Sequence, residues 1–284
     1  HPMSAQAHRP RRSCLYMPGA NARALEKAKG LSADTLIFDL EDAVAPEAKA
    51  DARAAILNAV QGGGYGPREI VVRINGLDTE WGEEDLKTAV KAGADAILVP
   101  KVVSGADIDR LDAALTAAGA AADFGLWVMI EMPLAILNIK EIAEAAHRTR
   151  LVAFVMGTND LAKEYRARAT PDRIAFQTAL GLSMAAARAY GLVAIDGVFN
   201  DIKDEHGLMD ECEQGRTLGS ANRIFAPSPH DVEQAKAVIE AFADPENAGK
   251  GVLKVNGKMT ELLHLDEARR TVAMDQAIKA FEAA

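Results

Sequence analysis

The feature that most constrains this chain is a rhythm of short, continuous apolar runs, each followed by a stretch of helical character. The runs fall at 13–17, 35–40, 70–74, 96–99, 126–130, 151–156 and 192–195. The helical stretches between and after them span 22–29, 47–60, 83–92, 106–117, 134–146, 171–190 and 205–218. Runs that are apolar throughout, rather than alternating, fit strands covered on both faces. Strands of that kind alternating with helices form a parallel sheet, either doubly wound or closed into a barrel. The polar residues decide between the two. Asp39, Glu41 and Asp42 follow the second run, Arg73 and Asn75 end the third, and Lys101 follows the fourth. Glu131 follows the fifth, Asp160 the sixth and Asp196 the seventh. In a barrel these residues meet on one rim, where active sites are built, whereas an open sheet spreads them along an edge. The expectation is therefore a (β/α)8 TIM barrel over residues 11–243, with 244–284 as a C-terminal helical arm. Only seven runs are strong, and 224–226 is a poor eighth.

A chain of 284 residues, 49% of them hydrophobic, can bury one large core. Its net charge of −9 argues against nucleic acid as a partner, because phosphate backbones need a basic face. Two cysteines, Cys14 and Cys212, are too few for a disulfide framework, so a reduced cytoplasmic setting is expected. No run approaches the ~20 apolar residues that span a membrane. His1 and Pro2 ahead of Met3 read as added residues, and 4–10 as a loose tail without the core of a secretion signal.

Glu131 ends LWVMIE, and a carboxylate behind five apolar residues is costly to bury unless it meets a cation or a partner. Asp160 lies in VMGTNDLA, where Gly157 allows a sharp turn out of the strand. Two carboxylates at neighbouring strand ends make a hard oxygen site suited to Mg²⁺ or Mn²⁺. Taken singly, Asp160 could be a helix N-cap and Glu131 an ion-pair partner of Arg73 or Lys101; taken together they favour a metal. Arg73 can hold a carboxylate in two prongs or stabilise an oxyanion. Asp39, Glu41 and Asp42 crowd three acids into FDLEDAV, so they need a cation, hydrogen bonds or protons. They could order water at the metal or serve as structural support and a helix cap. Near the start, Arg23 and Lys27 stand beside the Pro18–Gly19 turn, which could meet phosphate or simply form a solvated basic face.

The ordered set RSCLYMPG, FDLEDAV, VVRIN, VPK, IEMP and GTNDLAKE resembles the HpcH/HpaI aldolase and citrate lyase beta-subunit family. Within that family it is most similar to the malyl-CoA lyase and malyl-CoA thioesterase branches. The resemblance runs from Arg12 to the final helix. It implies a homo-oligomer, a trimer or hexamer, in which the arm reaches a neighbouring subunit. It also implies Mg²⁺ on Glu131 and Asp160, with Arg73 on the oxo-acid or thioester oxygen and Asp39, Glu41 and Asp42 around the metal's water. Backbone amides near Gly157 would meet the substrate carboxylate, Tyr16 would line the site, and Arg23 and Lys27 would meet the phosphates of CoA. The implied substrates are an acyl-CoA and an oxo-acid. The implied reaction is cleavage of malyl-CoA or citramalyl-CoA to acetyl-CoA and an oxo-acid, with Arg73, Asp42 and Glu261 catalytic. The alternatives are hydrolysis to malate and CoA, or a CoA-independent aldolase. The chain departs from the family pattern twice. NGKMTELL carries Glu261 where the family usually has Asp, and the segment that supplies the eighth strand is missing between Gly219 and Ser220.

Overall fold

The computed structural model describes residues 9–201, 203–219, 229–248 and 250–283. They fall into two compact units, one of residues 13–222 and one of 1–12 with 223–284. The first unit carries seven strands: β1 (Cys14–Pro18), β2 (Thr35–Asp39), β3 (Glu69–Arg73), β4 (Ala96–Val99), β5 (Gly125–Ile130), β6 (Leu151–Met156) and β7 (Val193–Ile195). All are parallel, and each pairs with the next in sequence. The helices between and after them are α1 (Ala22–Ala28), α2 (Lys49–Gly62), α3 (Gly82–Ala92), α4 (Gly105–Ala117), α5 (Pro133–Leu137), α6 (Ile139–Glu144), α7 (Thr158–Tyr165), α8 (Gln177–Ala189) and α9 (Glu205–Leu218).

The strand order excludes a doubly wound sheet, which reverses direction at a switch point. Right-handed crossovers that always advance the same way place every helix on one face. Leu36, Phe38, Val72, Ile97, Val128 and Phe154 bury against those helices. The opposite face is equally dry, yet its buried cluster of Ile37, Val71, Ala96, Leu98, Trp127, Met129, Ala153, Val155 and Ile195 comes entirely from strands. A sheet buries such a face without a second helix layer only by curling over it, as TIM barrels do. The fold is thus α/β with a curled, seven-stranded parallel sheet. The expected eighth strand at 224–226, the junction at Ser220 and the loose tail up to residue 8 lie outside the described residues.

Two local expectations are corrected, and one helix is added. The helix expected at 134–146 breaks at Asn138, whose Nδ2 donates to the Val103 carbonyl at 2.9 Å. The helix expected from 171 starts at Gln177, after Arg173 turns left-handed at φ 51°. Between them α7 forms from the short polar stretch TNDLAKEY, which the apolar rhythm does not mark.

In the other unit, α10 (Pro229–Ala243) packs against α11 (Leu262–Glu282), so a helix that the sequence groups with the barrel clusters with the C-terminal segment. The apolar run at 252–255 is β8 (Val252–Val255), and it pairs antiparallel with β9 (Lys258–Glu261).

Candidate active site

Side chains alternate along a strand, so the last inward position of each strand follows from the inner apolar face. Two residues beyond Ile37 comes Asp39; beyond Val71, Arg73; beyond Met129, Glu131; beyond Val155, Gly157. Asp39 and Arg73 are register partners on β2 and β3. Arg73 grips Asp39 in two prongs, Nε to Oδ1 at 2.7 Å and Nη2 to Oδ2 at 2.6 Å. Asp39 also accepts from the backbone N–H groups of Glu41 and Ala43. Its acceptors are therefore largely committed to fixing the loop after β2 and aiming Arg73. Burial works against the Arg73 charge, but Asp39 and Glu41 outweigh it and hold the guanidinium above the ordinary arginine value.

Glu41 lies between two cations. Its Oε1 accepts from Lys101 Nζ at 2.8 Å, and its Oε2 sits 3.0 Å from Arg73 Nη1, off the hydrogen-bond direction. Burial raises its pKa, and the two cations counter part of that rise. Asp42, 3.6 Å from Arg73 Nη1, is exposed. Tyr16 presents its ring to Arg73 at 5.1 Å, and its hydroxyl faces the Met129 sulfur at 3.7 Å. Burial lifts that hydroxyl well above its ordinary pKa, so it stays protonated.

Glu131 is 1% exposed. Its Oε1 accepts from the backbone N–H of Lys101 at 2.7 Å. Among the described residues no lysine or arginine side chain pairs with it, because Arg73 and the Lys101 ammonium are turned to Asp39 and Glu41. The ion-pair alternative is thus overturned. Burial pushes the Glu131 carboxyl up to about 7, with Asp160 and Glu41 adding repulsion. Asp160 stands in the first turn of α7 but is not its N-cap, a place that Gly157 takes. A buried carboxylate beside a second one, with no cation on it, is an acceptor pair that fits a small hard divalent ion. Among the described residues no group of three His, Cys, Asp or Glu is arranged for a metal. Two carboxylates suffice for Mg²⁺, which keeps several waters, whereas a structural zinc site needs four ligands.

Gly157 is required by crowding rather than by a turn. A Cβ there would lie 2.4 Å from Glu131 Cβ and 2.5 Å from its Oε2, while its φ of −98° is open to any residue. Its own N–H donates to the Ile130 carbonyl, so the amides left for an anion are those of Thr158 to Asp160 in the first turn of α7. Gly19 plays a similar part. Its N–H donates to the Asp39 carbonyl at 2.9 Å, and a Cβ would meet that oxygen at 2.7 Å, so its amide is not available to phosphate.

Arg23 and Lys27 are exposed, one turn apart on α1. Asn75 turns away from the rim centre and joins Lys49 and Asp85 in a buried network. Asp196 is held by Arg173 in two prongs, at 2.7 and 3.0 Å. Glu261 ends β9 in the other unit, where it is exposed and its N–H donates to His264 Nδ1. The residue whose part the sequence understated is Lys101. Its φ of 56° is a signal that only a structure carries.

Residues 12–227 match the family model HpcH/HpaI aldolase/citrate lyase. The chain is 49% identical to a (3S)-malyl-CoA thioesterase of Cereibacter sphaeroides, over 99% of this chain and 100% of the relative. That alignment runs to 294 positions, so the relative has residues with no counterpart in these 284. It is 36% identical to the citrate lyase subunit beta of Haemophilus influenzae, over 91% of this chain and 94% of the relative. Among solved structures, it resembles the citrate lyase beta subunit of Mycobacterium tuberculosis complexed with oxaloacetate and magnesium. That match has a TM-score of 0.64 and 25% identity, over 76% of this chain and 91% of the other.

Proposed function

Since the chain belongs to the HpcH/HpaI aldolase/citrate lyase family and is an enzyme, we propose that it is a magnesium-dependent acyl-CoA lyase. Its substrate is a short 3-hydroxyacyl-CoA, malyl-CoA or citramalyl-CoA, and its products are acetyl-CoA and an oxo-acid. The observation that carries this reading is the buried Glu131 carboxylate, beside Asp160 and without a cation of its own, next to an anchored Arg73. Glu131 and Asp160 would hold Mg²⁺. When bound, it supplies Lewis acidity toward the hydroxy-acid oxygens. The relative complexed with oxaloacetate and magnesium supports that assignment.

In this reading the exposed carboxylate of Asp42 takes the hydroxyl proton. The bond between the carbinol carbon and the carbon next to the thioester then breaks. Its electron pair moves into the thioester as an enolate, and the hydroxyl carbon becomes the oxo-acid carbonyl. Arg73, aimed by Asp39, donates to the developing oxyanion. Glu261, brought by the arm of a neighbouring copy in a trimer or hexamer, gives the enolate carbon its proton. Arg23 and Lys27 meet the CoA phosphates, and the first-turn amides after Gly157 meet the substrate carboxylate. The setting is the cytoplasm; among the described residues no helix is long and apolar enough to cross a membrane.

Hydrolysis of the thioester is the second reading, favoured by the 49% identity to a (3S)-malyl-CoA thioesterase. Incubation with malyl-CoA and Mg²⁺, assaying glyoxylate and free thiol in parallel, separates the two. The lyase gives glyoxylate and acetyl-CoA without thiol, and the thioesterase gives thiol and malate. If neither product forms, the acyl-CoA reading fails.

A further inference from the structure

Lys101 adopts φ 56°, a left-handed conformation that is strained for any residue bearing a Cβ. This geometry does two things at once. The backbone N–H reaches Glu131 Oε1 at 2.7 Å, and Nζ reaches Glu41 Oε1 at 2.8 Å. A glycine would supply the same N–H without strain. What lysine adds at this position is its ammonium.

That ammonium has donors to spare. It carries three N–H groups, and among the described residues one is engaged, by Glu41. The side chain is 53% exposed and stands on the wall of a cavity of about 870 Å³ formed by the loops after β2, β3 and β4. The other cations on that wall are committed differently. Lys49 spends its donors on the carbonyls of Leu40 and Glu41 and on Asn75 Oδ1, while Arg110 keeps open donors but is turned to Asp107 on its own helix rather than to the rim carboxylates. Arg73, which is buried and not on that wall, is gripped by Asp39. Lys101 is the cation on this wall whose own backbone contacts Glu131.

We propose that Lys101 is a substrate-binding residue, its ammonium taking the carboxylate of the oxo- or hydroxy-acid that the Glu131–Asp160 site receives. This rests on the metal and oxo-acid part of the functional reading and adds a contact to it. Five carboxylates, those of Asp39, Glu41, Asp42, Glu131 and Asp160, crowd the rim, so an incoming anion needs a cation with open donors as well as the metal. One main-chain N–H and one side-chain ammonium on a single strained residue thereby tie the metal ligand and the substrate carboxylate to the same point of the backbone.

The test is calorimetric titration of the full-length protein with glyoxylate in the presence of Mg²⁺, with separate titrations of Mg²⁺ alone and of acetyl-CoA. Lys101→Met keeps the backbone N–H to Glu131, so Mg²⁺ and acetyl-CoA should bind within about twofold of wild type. Glyoxylate affinity should fall about tenfold or more, the scale of one charge-assisted hydrogen bond. Lys101→Arg should recover part of that loss. If Lys101→Met does not fold, Lys101→Gln, which keeps a donor toward Glu41 without the charge, carries the same expectations. Unchanged glyoxylate affinity, or an equal loss of all three ligands as a purely structural role would give, overturns the proposal. Wild-type protein that binds no glyoxylate with Mg²⁺ overturns the functional reading and this contact with it. Wild type and Lys101→Met binding alike overturns the contact alone.

Discussion

Glu131 shows how one residue can carry the chemistry of a strand end. It inherits its direction from the period of β5 and its isolation from the apolar neighbours before it. Its burial, which lifts the carboxyl to about 7, has a consequence for stability. The folded, metal-free protein holds this proton more tightly than the unfolded chain, whose glutamates titrate near 4.3. Stability of the metal-free protein therefore falls as pH rises from the ordinary glutamate range to about 7, and this group adds no further loss above that. Thermal melts in chelator across that window should show the decline in wild type and a flatter profile in Glu131→Gln. Mg²⁺ competes with the same proton, so its affinity should rise with pH up to about 7. Arg73 gives a second prediction. Arg73→Lys keeps the charge but loses the two-pronged grip on Asp39, so turnover should fall roughly 100-fold while Mg²⁺ binding changes little. Equal turnover would show that the grip on Asp39 has no part in aiming the donor. Both residues were legible in the sequence, because a charge that ends an apolar run has few places to go. Lys101 was legible only as a strand-end residue, since its left-handed backbone leaves no trace in residue type.

At the scale of elements, the rim is held by contacts between neighbouring βα units. Gly157 opens α7 against the side chain of Glu131 from β5, so Gly157→Ala must displace the carboxylate or the strand. The expected cost is about 1–3 kcal/mol of stability, from overpacking, together with weakened Mg²⁺ binding. Urea denaturation and a metal titration check both, and an alanine variant with wild-type values would refute the crowding. Lys49, at the start of α2, clamps the carbonyls of Leu40 and Glu41 and reaches Asn75, which in turn bonds Asp85 on α3. Lys49→Met strands those acceptors and should cost about 2–4 kcal/mol in urea denaturation. A loss below about 0.5 kcal/mol, the range of an ordinary surface change, would contradict that role. Strands β2 to β6 were legible because burial on both faces writes them as largely apolar runs, whereas β1 buries only Met17 and was marked by its apolar residues alone. The helix α7 and the strand β9 were not, the one being short and largely polar and the other, KMTE, burying only Thr260.

For the whole molecule, the sequence pointed to a (β/α)8 barrel through the positions of its polar residues; consecutive strand order with an inner face made only of strands bears out a curled parallel sheet of seven strands, while the eighth strand expected at 224–226 lies outside the described residues. The place of 229–243 was less legible, because an amphipathic helix does not announce which neighbour it packs on, and here α10 lies against α11. The C-terminal unit has its own prediction. Glu261→Gln is an exposed change that should leave stability within about 0.5 kcal/mol, and Mg²⁺ binding intact, while abolishing turnover. Unimpaired turnover would remove Glu261 from the reaction. The central claim, that Glu131 and Asp160 form a divalent-metal site serving acyl-CoA chemistry, is tested most directly by titrating Mg²⁺ into chelator-treated enzyme while following malyl-CoA consumption. Wild type should rise from no detectable turnover to a saturating rate, and Glu131→Gln and Asp160→Asn should stay flat at every Mg²⁺ concentration. Metal-independent turnover in wild type, or a normal titration in either variant, would contradict it.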